Sequence, residues 1–100
     1  DKRLPDKTEL KCFNNVFNPL KGQRAIIEVS LKEQGKISVV LYNTKGKKIK
    51  QITDEQKEAD VYTYYWYGKD DNDNIVGSGL YFVHMKIGGY EKTKKIVVVK

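Results

Sequence analysis

Hydrophobic and polar residues alternate with a period of two along most of this chain. Successive side chains of a strand point to opposite faces, so the pattern predicts strands. AIIEVSL, 25–31, sets Ala25, Ile27, Val29 and Leu31 on one face and Glu28 and Ser30 on the other, with Ile26 a mild break. KEQG is the turn that follows. KISVVLYN, 36–43, repeats the pattern with Ile37, Val39 and Leu41 inward, and leaves Val40 and Tyr42 on an outer face that is partly covered. NTKGKK is a hairpin loop in which Gly46 supplies positive φ without steric cost. The lysine-rich KKIKQIT reads as an edge strand, because charge on an edge opposes edge-to-edge aggregation.

The stretch 62–82, YTYYWYGKDDNDNIVGSGLYF, organises the rest. Aromatic residues suit a half-buried pleated surface and Gly, Asn and Asp suit turns, so it reads as strand, loop and strand, a hairpin-like unit. Tyr62, Tyr64 and Trp66 share one face, Thr63, Tyr65 and Tyr67 the other, and the Trp66 face is taken as the buried one. DEQKEAD, 54–60, has no apolar stripe and reads as a connecting loop. A strand over 79–88 puts Tyr81, Val83, Met85 and Ile87 on one face, and Gly88-Gly89 makes the last turn. The last strand, 90–100, ends in a continuous Ile96 to Val99 run of the kind found in strands buried on both sides or central in a sheet.

At the other end, CFNNVFNPL reads as one short strand ending near Phe17 and a turn at Asn18-Pro19. Residues 1–11 hold seven charges and a proline without periodicity. They read as a charged linker to an upstream domain of the same chain, leaving 12–100 as the folded domain. Some seven strands without a convincing helix describe an all-β protein, an immunoglobulin-like antiparallel β-sandwich of about seven strands; the alternative is a small barrel such as an OB-fold.

Composition narrows the function classes. One hundred residues build one core, and 39% hydrophobic with 32% charged lies in the globular range. The chain begins at Asp1 and has no apolar run long enough for a membrane span or a signal peptide, so it reads as a domain cut from a longer protein. Net charge is +6, and 17 of the 19 basic residues are lysine. Base readers favour arginine, and the clusters at Lys45, Lys47, Lys48, Lys50 and at Lys92, Lys94, Lys95 suit solvated edges, so nucleic acid is not the favoured partner.

Catalysis finds no foothold. Cys12 has no second cysteine and no histidine beside it, His84 stands alone on a strand, and Ser30, Ser38 and Ser78 lack a triad partner or a nucleophile elbow. The chain is therefore read as a non-enzyme without a cofactor. Asp70, Asp71 and Asp73 in KDDNDN are candidate calcium ligands, yet they miss the EF-hand pattern, and turn chemistry accounts for the same letters. Tyr65 and Tyr67 offer a stacking platform for sugars, against the plainer reading of cross-strand pairing with a neighbour such as Tyr42.

FNNVFNP, LYNTKGKKI, YWYGKDDNDNIVGSGLYF and KKIVVVK, in that order over 13–100, resemble the consensus of the FlgD-like immunoglobulin-like domain of flagellar hook-capping proteins. C-terminal sorting domains of type IX secretion substrates share that consensus. The matching positions are Asn18-Pro19, Tyr42 with Gly46, Trp66 with Gly68, Asp71, Ser78-Gly79, Tyr81-Phe82, and Lys95 to Lys100. Val16 stands where a family proline is expected, Tyr67 where an aspartate is, and Asn74 where a turn glycine is. Asn74 is the best non-glycine substitute if that turn needs positive φ.

The resemblance implies a non-catalytic C-terminal sorting or anchoring domain of a bacterial secreted or cell-surface protein, recognised by export machinery. Lys94, Lys95 and Lys100 are the implied partner contacts, through main-chain pairing and charge on the last strand. Asn18, Pro19, Gly46, Trp66, Gly68, Gly79 and Tyr81 are the implied structural motif. The alternatives are an assembly module of a hook cap or other surface structure, and an accessory carbohydrate-binding module using Tyr65 and Tyr67.

Overall fold

The computed structural model describes residues 4–100. Their strands are β1 (Glu9–Phe13), β2 (Val16–Phe17), β3 (Ala25–Leu31), β4 (Gly35–Asn43), β5 (Lys48–Lys57), β6 (Asp60–Trp66), β7 (Gly79–Ile87) and β8 (Tyr90–Val98), with one 3-10 turn at Pro19–Lys21. They form two sheets, ordered β1-β3-β6 and β2-β8-β7-β4-β5. This is the immunoglobulin-like sandwich that the alternation predicts.

The core lies between the sheets. Ala25, Ile27, Val29 and Leu31 of β3 face Ile37, Val39 and Leu41 of β4, Val83 and Met85 of β7, and Ile96 and Val98 of β8, all buried. Each set comes from alternate positions of its strand, as a pleat requires. Outside the core, Val40 is also buried, paired across the ladder with His84.

Four expectations are corrected. First, 62–82 is not a hairpin: β6 pairs with β3 and β7 with β4 and β8, so the chain crosses from one sheet to the other after Trp66. Aromatic strand, polar loop and aromatic strand look the same in sequence whether the strands pair or face each other. Second, DEQKEAD is not a loop, because β5 runs on to Lys57 opposite Gly35. Its missing apolar stripe excludes an amphipathic helix but not the exposed end of an edge strand. Third, CFNNVFNPL is two strands in different sheets: Phe13 pairs with Ile26, while Val16 and Phe17 run parallel to Val97 and Val98. Asn14 makes the switch in a left-handed conformation, φ 53°, its side-chain amide donating to the Arg24 carbonyl. Fourth, the last strand is not buried on both sides: Ile96 and Val98 are buried and Val99 is half exposed, while the central place in the sheet holds at that run, between β2 and β7.

β1 also starts at Glu9, three residues inside the stretch read as linker, and buries Leu10 against the core. Residues 1–3 of that stretch lie outside the described residues.

One buried group is orphaned. Among the described residues, the Tyr64 hydroxyl is a buried polar atom without a hydrogen-bond partner. A buried unsatisfied hydroxyl costs about 1–3 kcal/mol, whereas its removal costs nothing in hydrogen bonding. Tyr64→Phe is thus expected to leave the domain as stable or more stable, by up to about 1 kcal/mol in urea denaturation. A loss of stability would mean that the hydroxyl finds a partner in solution.

Candidate functional site

The positions carried by the resemblance converge at one end of the sandwich. Trp66 packs edge-to-face on Phe17 (centroids 5.7 Å) and on Tyr81 (5.4 Å), and its Nε1–H donates to the Lys69 carbonyl at 2.9 Å. The Tyr81 hydroxyl donates to the Gly77 carbonyl at 2.8 Å, a tyrosine corner at the start of β7. Burial raises the pKa of that phenol. Asn18 Oδ1 caps the 3-10 turn by accepting from Leu20 N–H, and this lays Pro19 against Gly68. Gly46 and Gly79 hold positive φ in their own turns, Gly46 beneath an Asn43 side chain that accepts from Lys45 and Lys47 N–H. These residues build the domain and leave its surface to others.

KDDNDN brings Asp70, Asp71 and Asp73 into one loop but aims each at a different partner. Asp70 Oδ1 accepts from the N–H of Asn72 and of Asn74, both at 2.9 Å, an Asx-type turn. Asp73 lies 3.7 Å from Lys69 Nζ. Asp73, with φ 65°, takes the left-handed position expected of Asn74. Asp71 docks on the edge of β5, its N–H donating to Ile49 O and its Oδ1 accepting from Gln51 N–H. Among the described residues no three His, Cys, Asp or Glu side chains are grouped to hold a metal ion. The loop covers a sheet edge.

Among the described residues, the opposite edge of the same sheet is paired only at its far end. β2 accepts Val97 N–H on the Asn15 carbonyl (2.7 Å) and Val99 N–H on the Phe17 carbonyl (3.0 Å), and the Asn15 side chain reaches the Lys95 carbonyl. Backbone groups of alternate residues face alternate sides of a strand, so the N–H groups of Glu91, Thr93 and Lys95 and the carbonyls of Glu91 and Thr93 face the same edge. Among the described residues no strand pairs there, because β1 belongs to the other sheet.

Lys94 points to the sandwich side of β8, in step with Ile96 and Val98, and Lys95 to the outer side. Lys100 stands past the end of the strand with its N–H on Ser78 Oγ, about 16 Å from Lys95 along the chain. The structure thus brings Lys94 and Lys95 to one stretch and sets Lys100 apart. It adds Lys92, which shares the Lys94 face. Among the described residues the ion pairs on β1 beside this edge are those of Lys7 and Lys11 with Glu9, and Lys92, Lys94 and Lys95 pair with no carboxylate. A cleft of about 500 Å³ lined by Lys11, Cys12, Phe13, Asn15 and Thr93 to Lys95 runs between β1 and this edge. Cys12 lies half-buried in its wall, and burial pushes its thiol up to about 11, which keeps it protonated and slow to form disulfides.

No family model matches the chain, and no curated protein matches it. Its fold has a solved counterpart. The chain is similar to part of PorZ of Porphyromonas gingivalis, described as an essential bacterial surface component of the type-IX secretion system. The TM-score is 0.62 at 20% identity, over 91% of this chain and 11% of PorZ. At that identity the likeness speaks for the immunoglobulin-like fold, and it does not single out the hook-capping branch of the resemblance.

The remaining candidates look different in place. Tyr65 pairs with Ile26 on the outer face of the small sheet, and Arg24 sits over its ring at 4.3 Å, so one stacking face is taken. Tyr42 belongs to the other sheet and meets the His84 ring edge-on, which corrects its expected pairing with Tyr65 and Tyr67. His84 is better connected than its isolation in sequence implied. Its Nδ1 lies 2.9 Å from Thr93 Oγ1 and its Nε2 2.9 Å from Glu91 Oε1. Counting outward from the Gly88-Gly89 turn places 84 opposite 93, so the trio was available from register.

Proposed function

We propose that this domain is a non-catalytic sorting or anchoring module of a bacterial secreted or cell-surface protein, recognised by export machinery through its last strand. One observation carries the reading: among the described residues, Lys92, Lys94 and Lys95 stand without acidic partners beside a stretch of β8 that no strand covers. The fold likeness to part of a type IX secretion surface component supports it. So does the order of motifs that resembles sorting domains.

The test is export. The complete 100-residue chain is fused to the C-terminus of a periplasmic reporter in a host with type IX secretion, beside a Lys94→Gln, Lys95→Gln, Lys100→Gln version. These side chains are exposed, so the variant keeps Ile96 and Val98 in the core, which a deletion of 95–100 would remove. The intact fusion is expected at the surface or in the medium and the variant in the periplasm, soluble and folded. Equal export of both, or retention of both, defeats the reading.

A further inference from the structure

We propose that the uncovered edge of β8, Glu91 to Lys95, accepts an extended acidic segment of a partner protein as an added strand. The inference rests on the reading above and names its mode. An open edge presents a row of unpaired N–H and C=O groups, and extended segments bind such edges by main-chain pairing. Here that row is the N–H and carbonyl of Glu91 and of Thr93, with the Lys95 N–H. β2 already occupies the same line at Val97 and Val98, so an incoming segment continues an existing strand position and meets the Asn15 end of β2.

The edge is held in place. β7 pairs with all nine residues of β8, and the His84 contacts to Thr93 and Glu91 tie the two strands across the outer face, so little ordering remains for binding. Charge selects the occupant. Lys92 and Lys94 lie on the sandwich-facing side of β8. Lys94 lines the cleft with Lys11, Lys92 and Lys94 line a smaller one with Lys7 and its ion-pair partner Glu9, and Lys95 lies on the outer face at the cleft's rim. A segment with acidic residues at alternate positions sets its carboxylates beside Lys92 and Lys94, while a basic one is repelled. The far edge of the sheet offers no such match. Asp71 covers β5 at Ile49 and Gln51, and Lys36–Asp54, Lys50–Asp71 and Lys57–Glu55 pair its charges.

The probe is a ten-residue peptide alternating Glu and Thr, titrated into the complete chain and followed by amide NMR shifts and by anisotropy of the labelled peptide. Saturable shifts confined to Glu91–Lys95, Asn15 and the β1 side of the cleft are expected. Methylating alternate backbone nitrogens of the peptide, or replacing its Glu by Lys, should weaken binding at least about tenfold. Lys92→Gln, Lys94→Gln, Lys95→Gln should do the same, and binding should weaken with salt. Thr93→Pro removes an outward N–H that the β7 ladder does not use, a position where proline is tolerated. It should abolish binding, while Thr93→Ala retains it.

Absence of a saturable shift overturns the proposal. So does equal binding of the N-methylated peptide or of inorganic polyphosphate, since charge alone would then suffice. The export assay separates the two readings. Lysine-dependent export without peptide binding removes the added strand and leaves the functional reading standing, whereas peptide binding with export indifferent to the lysines does the reverse.

Discussion

Trp66→Ala is expected to cost about 3–5 kcal/mol, a large part of the stability of a domain this size. The indole is 1% exposed and sits where three separated segments meet: Phe17 from β2, Tyr81 from β7, and the loop after β6 through the Lys69 carbonyl. Its truncation leaves a cavity that a β-sandwich cannot close, because the surrounding strands are fixed by their ladders. Trp66→Phe divides the effect. It keeps most of the apolar contact and the edge-to-face geometry but leaves the Lys69 carbonyl without its donor, for about 1–2 kcal/mol. Urea denaturation followed by circular dichroism reads both. If Trp66→Ala stays within about 1 kcal/mol of the parent, Trp66 is not the keystone of that end.

That keystone was legible as a residue but not as a junction. Tyr62, Tyr64 and Trp66 do share the inner face, as period two requires, and β3, β4 and β7 bury the sets expected of them. Alternation is a local signal and survives without knowledge of the partner strand. What it lacks is the identity of that partner. For the same reason β6 and β7 looked like a hairpin, and Tyr42 looked like a neighbour of Tyr65.

The candidate site was legible in part, and for a related reason. Lys94 and Lys95 stand out in sequence as a lysine cluster, but an edge is defined by what fails to pair with it. The uncovered stretch of β8 exists because the chain leaves one sheet at Asn14 and joins the other at Val16, too late to cover Glu91 to Lys95. Two adjacent asparagines carry that switch, and no pattern of apolar residues marks it. Lys92 was named among the lysines without a role, and its role comes only from sharing the Lys94 face. In the same way KDDNDN showed acidic turn chemistry, yet Asp71 covering Ile49 and Gln51 depends on a contact 20 residues distant.

Gly68→Ala tests the other half of the junction, and its cost should be about 2–5 kcal/mol. Two penalties add. At φ +76° a side chain strains the backbone by roughly 1–2 kcal/mol, and the new Cβ would stand 2.9 Å from Pro19 Cβ and 3.3 Å from Phe17 Cε2, an overpacking of about 1–3 kcal/mol. Gly46→Ala isolates the first penalty. Its φ is +79° but a Cβ there meets nothing within 4 Å, so it should lose only the backbone share. Pro19→Gly isolates the second, because it removes the Pro19 Cβ and Cγ that the Gly68→Ala methyl would meet at 2.9 and 3.1 Å. The double variant should then lose less than the sum of the single ones, as expected for residues in direct contact. Equal costs for Gly68→Ala and Gly46→Ala would show that Pro19 yields freely. The Asn18-Pro19 turn would then lie over the β6–β7 crossover without being locked to it, and Trp66 alone would hold that end of the sandwich together.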